Sequence, residues 1–209
     1  MTLPVDEPYN IGRSLRGMPQ PTRGRKNVRK LVGGLDREKD DFYPTPASLT
    51  RALVKLEQFD GPVWECACGD GAMSRILAEG NITFATDLVA RGGYAGGVDF
   101  LLEQKLMAPN IVTNPPFKLW QQFANHALDL GAEKVVLLGR VLNLEGKAAS
   151  ALMQRRGLAR VLVSAGRVDI LPPGAKSTGK GGIIAYAWYV FERGFRGDPV
   201  IKWFTPEKG

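Results

Sequence analysis

Cysteine and histidine are scarce in this 209-residue chain, which contains two cysteines and one histidine. Cys66 and Cys68 cannot form a framework of several disulfides, and with His126 they offer too few ligands for a zinc site of the usual kind. We therefore predict no metal site and a reducing environment.

The chain also lacks an apolar run near the roughly 20 residues that a membrane-spanning helix needs. Its first ten residues contain no basic segment followed by an apolar stretch, which a secretory leader would have. These absences exclude an integral membrane protein and predict a cytoplasmic protein with no membrane partner.

The net charge of +7 is unevenly distributed along the chain. Residues 1–40 contain nine basic and five acidic residues, residues 41–139 contain seven and eleven, and residues 140–209 contain twelve and five. Basic flanks around a mildly acidic middle favour a polyanionic partner, although an excess of this size also keeps a small protein in solution.

Residues 1–40 are predicted to form a basic, irregular arm. Positions 8–35 contain seven basic residues, no acidic residue and no sustained apolar period. Such a segment suits a sliding contact with phosphates, with Arg23, Arg25 and Lys26 as candidate contacts. A solvated tail, or a segment wrapped over the domain, is the alternative.

Residues 41–209 are predicted to form one domain in which strands and helices alternate. This order predicts an α/β fold with a largely parallel sheet and helices on both faces. Thr45 followed by Pro46 is typical of a helix start, with the threonine as hydroxyl cap. Further helices are predicted at 72–78, 117–130 and 146–156, and strands at 63–65, 82–86, 111–113, 134–138, 160–163, 183–191 and 200–204.

The segments that follow the strands are of most interest, because ligands bind at the carboxyl ends of such strands. The first, residues 65–71, reads Glu-Cys-Ala-Cys-Gly-Asp-Gly. Gly69 and Gly71 allow a tight turn and a close approach to a ligand, and the following helix start offers N–H groups to an anion. The same pattern fits a nucleotide site or an ordinary tight turn.

The next strand ends at Asp87, whose carboxylate can accept both hydroxyls of a ribose. A helix cap or a surface charge is the simpler interpretation. Together with the glycine loop, Asp87 favours a cofactor that contains adenosine. The loop lacks the Lys-Ser/Thr ending of a P-loop, which disfavours a nucleoside triphosphate.

The third segment, Asn114-Pro115-Pro116-Phe117, is the most informative. The two prolines fix the backbone, so that the Asn114 side-chain oxygen and the Pro115 carbonyl can both accept from one amino group. Phe117 supplies a flat face for a planar ring. A proline turn into a helix capped by asparagine would explain the turn, but not the acceptor pair with an aromatic side chain.

In these segments the sequence resembles the S-adenosylmethionine-dependent amino methyltransferases that act on adenine in DNA, in particular small phage or prophage members. The resemblance runs from about residue 41 to about residue 193 and keeps the family order, with the cofactor loop before the catalytic tetrad. It implies a Rossmann-like class I methyltransferase fold, with a seven-stranded sheet whose last strand is antiparallel. The matching segments are 41–46, 64–71, 99–100, 114–117, 139–146 and 187–191.

The resemblance also implies roles for individual residues toward S-adenosylmethionine. Asp87 would hold the ribose, Asp99 would accept from the adenine amino group, and Phe100 would pack on the adenine ring. Cys66 stands where the family commonly has proline, and we interpret it and Cys68 as small packing residues. The other implied cofactor residues are Tyr43 and Thr45, near the methionine part, and Glu65, Ala67, Gly69, Asp70 and Gly71, around the pocket.

The resemblance implies that Asn114, Pro115, Pro116 and Phe117 form the catalytic tetrad, with the target adenine flipped out of duplex DNA onto Phe117. Lys118, Arg140 and two lysines of the loop 174–182, Lys176 and Lys180, are candidate DNA contacts. Contacts of this kind meet phosphates, which predicts low sequence specificity and strong salt dependence. A flexible hairpin connection is an equally simple interpretation of the loop.

Three alternatives remain open at this stage. The same chemistry could act on RNA or on a protein glutamine. The fold could serve a nucleic-acid-binding protein without catalysis. An unrelated dinucleotide-binding oxidoreductase would use the glycine loop and Asp87, but would leave residues 114–117 unexplained. The oligomeric state is not predicted.

Overall fold

The computed structural model describes residues 41–94, 96–175 and 182–206. The predicted basic arm with Arg23, Arg25 and Lys26, and the loop residues Lys176 and Lys180, lie outside the described residues. In chain order the elements are α1 (Ala47–Leu56), β1 (Val63–Glu65), α2 (Ser74–Leu77), β2 (Thr83–Ala85), β3 (Asn110–Thr113), α3 (Trp120–Asp129), β4 (Lys134–Arg140), α4 (Lys147–Arg155), β5 (Leu158–Ser164), β6 (Tyr186–Glu192) and β7 (Val200–Phe204).

The strands form one seven-stranded sheet in the order β2-β1-β3-β4-β6-β5-β7. Strands β2, β1, β3 and β4 pair in parallel, and so do β5 and β7. Strand β6 runs antiparallel to both of its neighbours, β4 and β5. The expectation that the last strand is antiparallel is therefore wrong: the antiparallel strand is the sixth, because β7 adds a further parallel strand beside β5 at the edge.

Helices cover both faces of this sheet, as predicted, because successive strand residues point to opposite sides. In β4, Val135 and Leu137 belong to the core cluster that includes α3. The alternate residues Val136 and Leu138 belong to the cluster that includes α1 and α2. The central strands are buried on both faces, as is typical of parallel sheets, with apolar residues in the middle and buried polar residues at strand ends: Glu65, Asn110 and Thr113.

The predicted elements all exist, but several differ in length. Helix α2 comprises only Ser74–Leu77, since the turn around Asp70, whose carboxylate accepts from the Ala72 amide at 3.0 Å, delays its start. Strand β4 runs on to Arg140, and β6 begins at Tyr186, three residues later than predicted. Two short 3-10 helices, Phe100–Leu102 and Val141–Leu144, were not predicted.

The start of α1 differs from the prediction in a way that matters for the site. Pro46 holds the N-cap position, and no side chain caps the helix. The Thr45 hydroxyl instead accepts from the Asn114 side chain at 3.0 Å. The prediction that Thr45 caps the helix is therefore wrong: Pro46 takes the N-cap position, and the Thr45 oxygen pairs with a residue 69 positions away.

A charge cluster joins the end of α1 to the sheet, at the amino ends of β4 and β5. Arg160 donates to Glu57 at 2.6 and 2.7 Å and to Glu192 at 2.5 Å. Lys134 lies 3.4 Å from Glu57 and 3.5 Å from Glu192. Hydrogen bonds from Arg160 lower the pKa of Glu192. The Glu57 carboxylate, with 4% of its side chain exposed, is the most buried member.

We expect Glu57→Ala to lower the free energy of unfolding by about 2 kcal/mol, because it leaves the half-buried Arg160 with a weaker partner. That loss corresponds to a melting temperature lower by about 4–8 °C, measured by thermal circular dichroism. Glu79→Ala is the matched control, since it removes an exposed ion pair with Arg51. An equal melting temperature for wild type and Glu57→Ala would contradict a stabilising role for the cluster.

No helix among the described residues is both long and apolar enough to cross a bilayer.

Candidate methyl-transfer site

Parallel pairing brings the carboxyl ends of β2, β1, β3 and β4 to the same edge of the sheet. A cavity that is partly open to solvent lies at this edge. Its lining includes residues 114–117 and every predicted cofactor residue except Gly71. The residues predicted from the sequence thus lie around one cavity. The roles of the individual residues remain predictions.

Asp87 is tied to the glycine loop by its carboxylate. One oxygen accepts from the Gly69 amide at 2.7 Å, and the other accepts from the Val89 amide at 2.8 Å and lies 3.4 Å from Arg91. Asp87 is 8% exposed, so it is not a surface charge. A carboxylate has about four acceptor positions, and these contacts leave room for one more hydrogen bond into the cavity.

Aromatic side chains cover the two glycines of the loop. A Cβ on Gly69 would meet the Phe42 ring at 2.3 Å, and one on Gly71 would meet the Tyr94 ring at 2.0 Å. Both glycines have positive φ angles, 56° and 78°. Gly71 therefore accommodates Tyr94 and does not line the cavity. Arg91 stacks on Phe42 at 4.6 Å from the ring centre.

Asp99 and Phe100 lie at another wall of the cavity. One Asp99 oxygen accepts from the Leu101 amide at 3.0 Å and begins the first 3-10 helix. The Phe100 ring is only 2% exposed and packs against Trp64 at 5.3 Å and Phe123 at 4.9 Å between ring centres. Only a small part of this ring can face the cavity.

Burial controls the ionisation of three groups beside the loop. It raises the pKa of the Glu65 carboxyl well above its ordinary value, and the Ser74 hydroxyl donates to this carboxyl. Burial likewise raises the pKa of the Cys66 thiol, and raises that of Cys68 to about 12. Both cysteines are free and buried, as expected for packing residues, and protonated thiols are poor nucleophiles.

Asn114 has an asymmetric set of partners. Its Nδ2 donates to the Thr45 hydroxyl at 3.0 Å and to the Tyr43 carbonyl at 3.3 Å. Its Oδ1 is shielded from solvent and accepts no hydrogen bond from a described residue. Asn114 does not cap α3, which begins at Trp120 behind Leu119. The simple interpretation of the segment as a capped proline turn is therefore wrong.

Phe117 stands in a row of aromatic side chains. The rings of Tyr43 and Tyr186 each lie 6.0 Å from it between ring centres. The Arg140 guanidinium lies 5.0 Å from the Phe117 ring centre, and its buried Nε donates to no acceptor among the described residues. Burial raises the pKa of Tyr186 to about 12, so this phenol stays neutral.

Sequence reasoning missed several residues of the cavity. Phe42 and Arg91 form its cover over the glycine loop, and no short motif signals a contact between residues 49 positions apart. Leu88, Val89 and Phe123 add apolar lining.

Lys118, a predicted DNA contact, is exposed next to Phe117. His126 donates through Nε2 to the Glu103 carbonyl at 3.0 Å and packs edge-on against Phe100, which gives it a structural role. No group of three or more potential metal ligands occurs among the residues that the structure describes.

Several solved structures resemble this fold. A methyltransferase subunit of a type I restriction-modification system from Streptococcus thermophilus has a TM-score of 0.55 at 12% identity, over 80% of this chain and 49% of that one. A protein from Pyrococcus horikoshii, provisionally assigned as an RNA methyltransferase, has a TM-score of 0.54 at 16% identity, over 79% and 94%. The M protein of the type I restriction enzyme EcoKI has a TM-score of 0.51 at 15% identity, over 79% and 49%.

These similarities define the class of fold. The chain has the Rossmann-like class I methyltransferase fold, with a seven-stranded sheet and helices on both faces. It spans about half the length of the two type I subunits. No protein-family model matches the chain, and no curated protein sequence does.

Proposed function

We propose that this protein transfers a methyl group from S-adenosylmethionine to the exocyclic amino group of adenine in DNA. The observation that carries the proposal is the Asn114 side chain, whose Oδ1 is a buried acceptor without a donor, next to Phe117 and at the edge of the cavity. A buried acceptor left unpaired costs about 1–3 kcal/mol, and such groups call for a functional explanation. A substrate amino group would supply the missing donor.

The residues around the cavity fit the cofactor. The cavity adjoins both the glycine loop and residues 114–117. Asp87 keeps one acceptor position for a ribose hydroxyl. Asp99 uses one oxygen for Leu101, and its other oxygen has no partner among the described residues. When bound, S-adenosylmethionine supplies an electrophilic methyl group on a sulfonium.

The chain's own contribution to the chemistry is alignment. The lone pair of an adenine amino nitrogen is delocalised into the ring and makes a poor nucleophile. Hydrogen bonds from this nitrogen to Asn114 Oδ1 and the Pro115 carbonyl favour a pyramidal nitrogen, whose lone pair then points along the line of attack. No described backbone amide donates to the Pro115 carbonyl, so that oxygen is also available.

No strong base is required before the attack. The nitrogen loses a proton only once it carries the new methyl group, because the positive charge makes the N–H acidic. The site accordingly has acceptors and no histidine, since His126 is engaged with Glu103. Asn114 Oδ1 is shielded, so an incoming amino group needs a movement of neighbouring side chains to reach it.

The choice of DNA as substrate rests on three supports. The sequence resembles adenine-specific DNA methyltransferases, two similar structures are named as subunits of type I restriction systems, and Lys118 and Arg140 provide positive charge beside Phe117. Duplex DNA would present its adenine by base flipping onto the Phe117 ring. RNA is the second candidate substrate, because the similar protein from Pyrococcus horikoshii is provisionally assigned as an RNA methyltransferase.

Direct analysis of the product base tests the proposal. The purified protein is incubated with methyl-labelled S-adenosylmethionine and duplex DNA, single-stranded DNA, RNA or a glutamine-containing protein, and the products are digested and separated. We expect N6-methyladenine from DNA with wild type and none with Asn114→Ala. Label in RNA or glutamine alone, or label that does not depend on Asn114, would contradict the proposal.

Cofactor binding is a separate step of the same test. Calorimetric titration with S-adenosylmethionine should give heat, and titration with NAD should give none. Binding of NAD would favour an oxidoreductase. Binding of S-adenosylmethionine without turnover on any substrate would favour a nucleic-acid-binding protein that has lost catalysis.

A further inference from the structure

Two protein groups hold the Asn114 amide, and one of them determines its orientation. The Tyr43 carbonyl oxygen can only accept a hydrogen bond, so the Asn114 atom that faces it at 3.3 Å has to be the nitrogen. The same nitrogen donates to Thr45 Oγ1 at 3.0 Å. The side-chain oxygen therefore points away from residues 43–45.

Rotating the amide by half a turn would preserve its shape but exchange the positions of its hydrogen-bond donor and acceptor. The oxygen would then face the Tyr43 carbonyl, lone pair against lone pair. The Thr45 hydroxyl could still donate to that oxygen, so the carbonyl sets the direction of the amide and the hydroxyl holds it in place. The amino group would be presented where a substrate amine has to bind, and two donors cannot pair. Catalysis by Asn114 thus depends on which way its amide points.

Thr45 is held rigidly enough to fix the position of the amide. It is 7% exposed and lies two residues before α1, whose Leu49 and Leu53 are completely buried. The indole nitrogen of Trp188, on β6, donates to the Leu49 carbonyl at 3.2 Å and ties the start of this helix to the sheet. The hydroxyl is thus fixed to the same framework as β3, which leads into Asn114.

We propose that Thr45 is a positioning residue for methyl transfer, whose hydroxyl, with the Tyr43 carbonyl, locks Asn114 with its oxygen toward the substrate amino group. This inference rests on the proposed function. It moves Thr45 from the methionine part of the cofactor, where the family resemblance places it, to the acceptor side of the site. The hydroxyl acts through Asn114 and leaves cofactor affinity to other residues.

Three threonine variants test this role. Thr45→Val keeps the shape of the side chain and removes the hydroxyl, and Thr45→Ser keeps the hydroxyl. Thr50→Val is the matched control, because Thr50 is completely buried in the adjoining helix α1 and its hydroxyl has no partner among the described residues. The readouts are kcat at saturating substrates, the dissociation constant of S-adenosylmethionine by calorimetry, and the melting temperature.

We expect Thr45→Val to lower kcat about tenfold, because one of the two hydrogen bonds that hold the amide is lost. The dissociation constant of the cofactor should stay within about twofold of the wild-type value. Thr45→Ser should retain at least about half of the wild-type kcat, and Thr50→Val all of it. A wild-type kcat for Thr45→Val would overturn the proposal. Weaker cofactor binding at unchanged kcat would also overturn it, since the hydroxyl would then contact the cofactor.

A measurement without turnover separates this inference from the proposed function. In ¹⁵N NMR spectra, the Asn114 side-chain NH₂ is assigned as the signal pair missing from Asn114→Ala. We expect slow hydrogen exchange for this NH₂ in wild type and Thr45→Ser, and faster exchange in Thr45→Val. If wild type transfers no methyl group, the proposed function fails, while these spectra still test the lock. Equal hydrogen exchange of the Asn114 NH₂ in all three proteins would overturn the positioning role of Thr45 even in an active enzyme.

Discussion

Asn114→Ala is expected to lower kcat for methyl transfer by at least about 100-fold, with little change in cofactor affinity. The variant removes the acceptor that would hold the substrate amino group, an interaction that strengthens as positive charge develops on the nitrogen. Removing one such preorganised hydrogen-bonding group costs about 3–4 kcal/mol of transition-state stabilisation in enzymes. Single-turnover transfer of labelled methyl groups measures the chemical step directly.

Two further variants make this result specific. Asn114→Asp keeps an acceptor oxygen of the same shape, so it should retain more activity than Asn114→Ala. It should remain below wild type, because its second oxygen faces the Tyr43 carbonyl in place of a nitrogen. Asn125→Ala, on α3 and remote from the cavity, controls for the residue type. Wild-type kcat in Asn114→Ala would contradict the role that we assign to this residue.

Asp87→Ala should weaken S-adenosylmethionine binding at least about 100-fold, equivalent to about 2.7 kcal/mol. The carboxylate has two functions that the substitution removes together. It accepts from the amides of Gly69 and Val89 and so holds the glycine loop against the end of β2. It also offers its remaining acceptor position to a ribose hydroxyl. Calorimetry with S-adenosylmethionine measures the loss.

A ligand lacking the ribose hydroxyls separates these two functions. The 2′,3′-dideoxy analogue of S-adenosylhomocysteine should bind wild type more weakly than the parent compound, and should bind Asp87→Ala no differently from it. If wild type and Asp87→Ala prefer the parent compound over the dideoxy analogue to the same extent, Asp87 only supports the loop. Asp60→Ala, an exposed acidic residue outside the cavity lining, should leave both affinities unchanged.

The positions of the chemical groups along the chain were predictable because they depend on local order. Each group follows a strand and is located by a pattern of about ten residues. The three patterns are a strand before Gly69 and Gly71, a strand before Asp87, and a strand before Asn114. Parallel pairing then brings these places together without further information. This is why almost all the predicted cofactor residues line one cavity.

The path of the sheet beyond β4 was harder to predict. Residues 186–191 are aromatic or apolar and buried, and a fully buried strand has no polar alternation that would indicate its neighbours or its direction. Its antiparallel insertion between β4 and β5 follows from pairing across the whole sheet. For the same reason, the edge position of β7 could not be deduced from its five residues.

The sequence by itself determined the class of fold and the acceptor and carboxylate groups at the strand ends, because hydrophobic period and turn residues act over short distances. The tertiary structure alone decided how those groups are held: Asp87 by amides of the loop it supports, and Asn114 by Thr45 and Tyr43. The orientation of an amide depends on which atoms surround it in space. Partners about 70 residues apart leave no local pattern from which that orientation could be inferred.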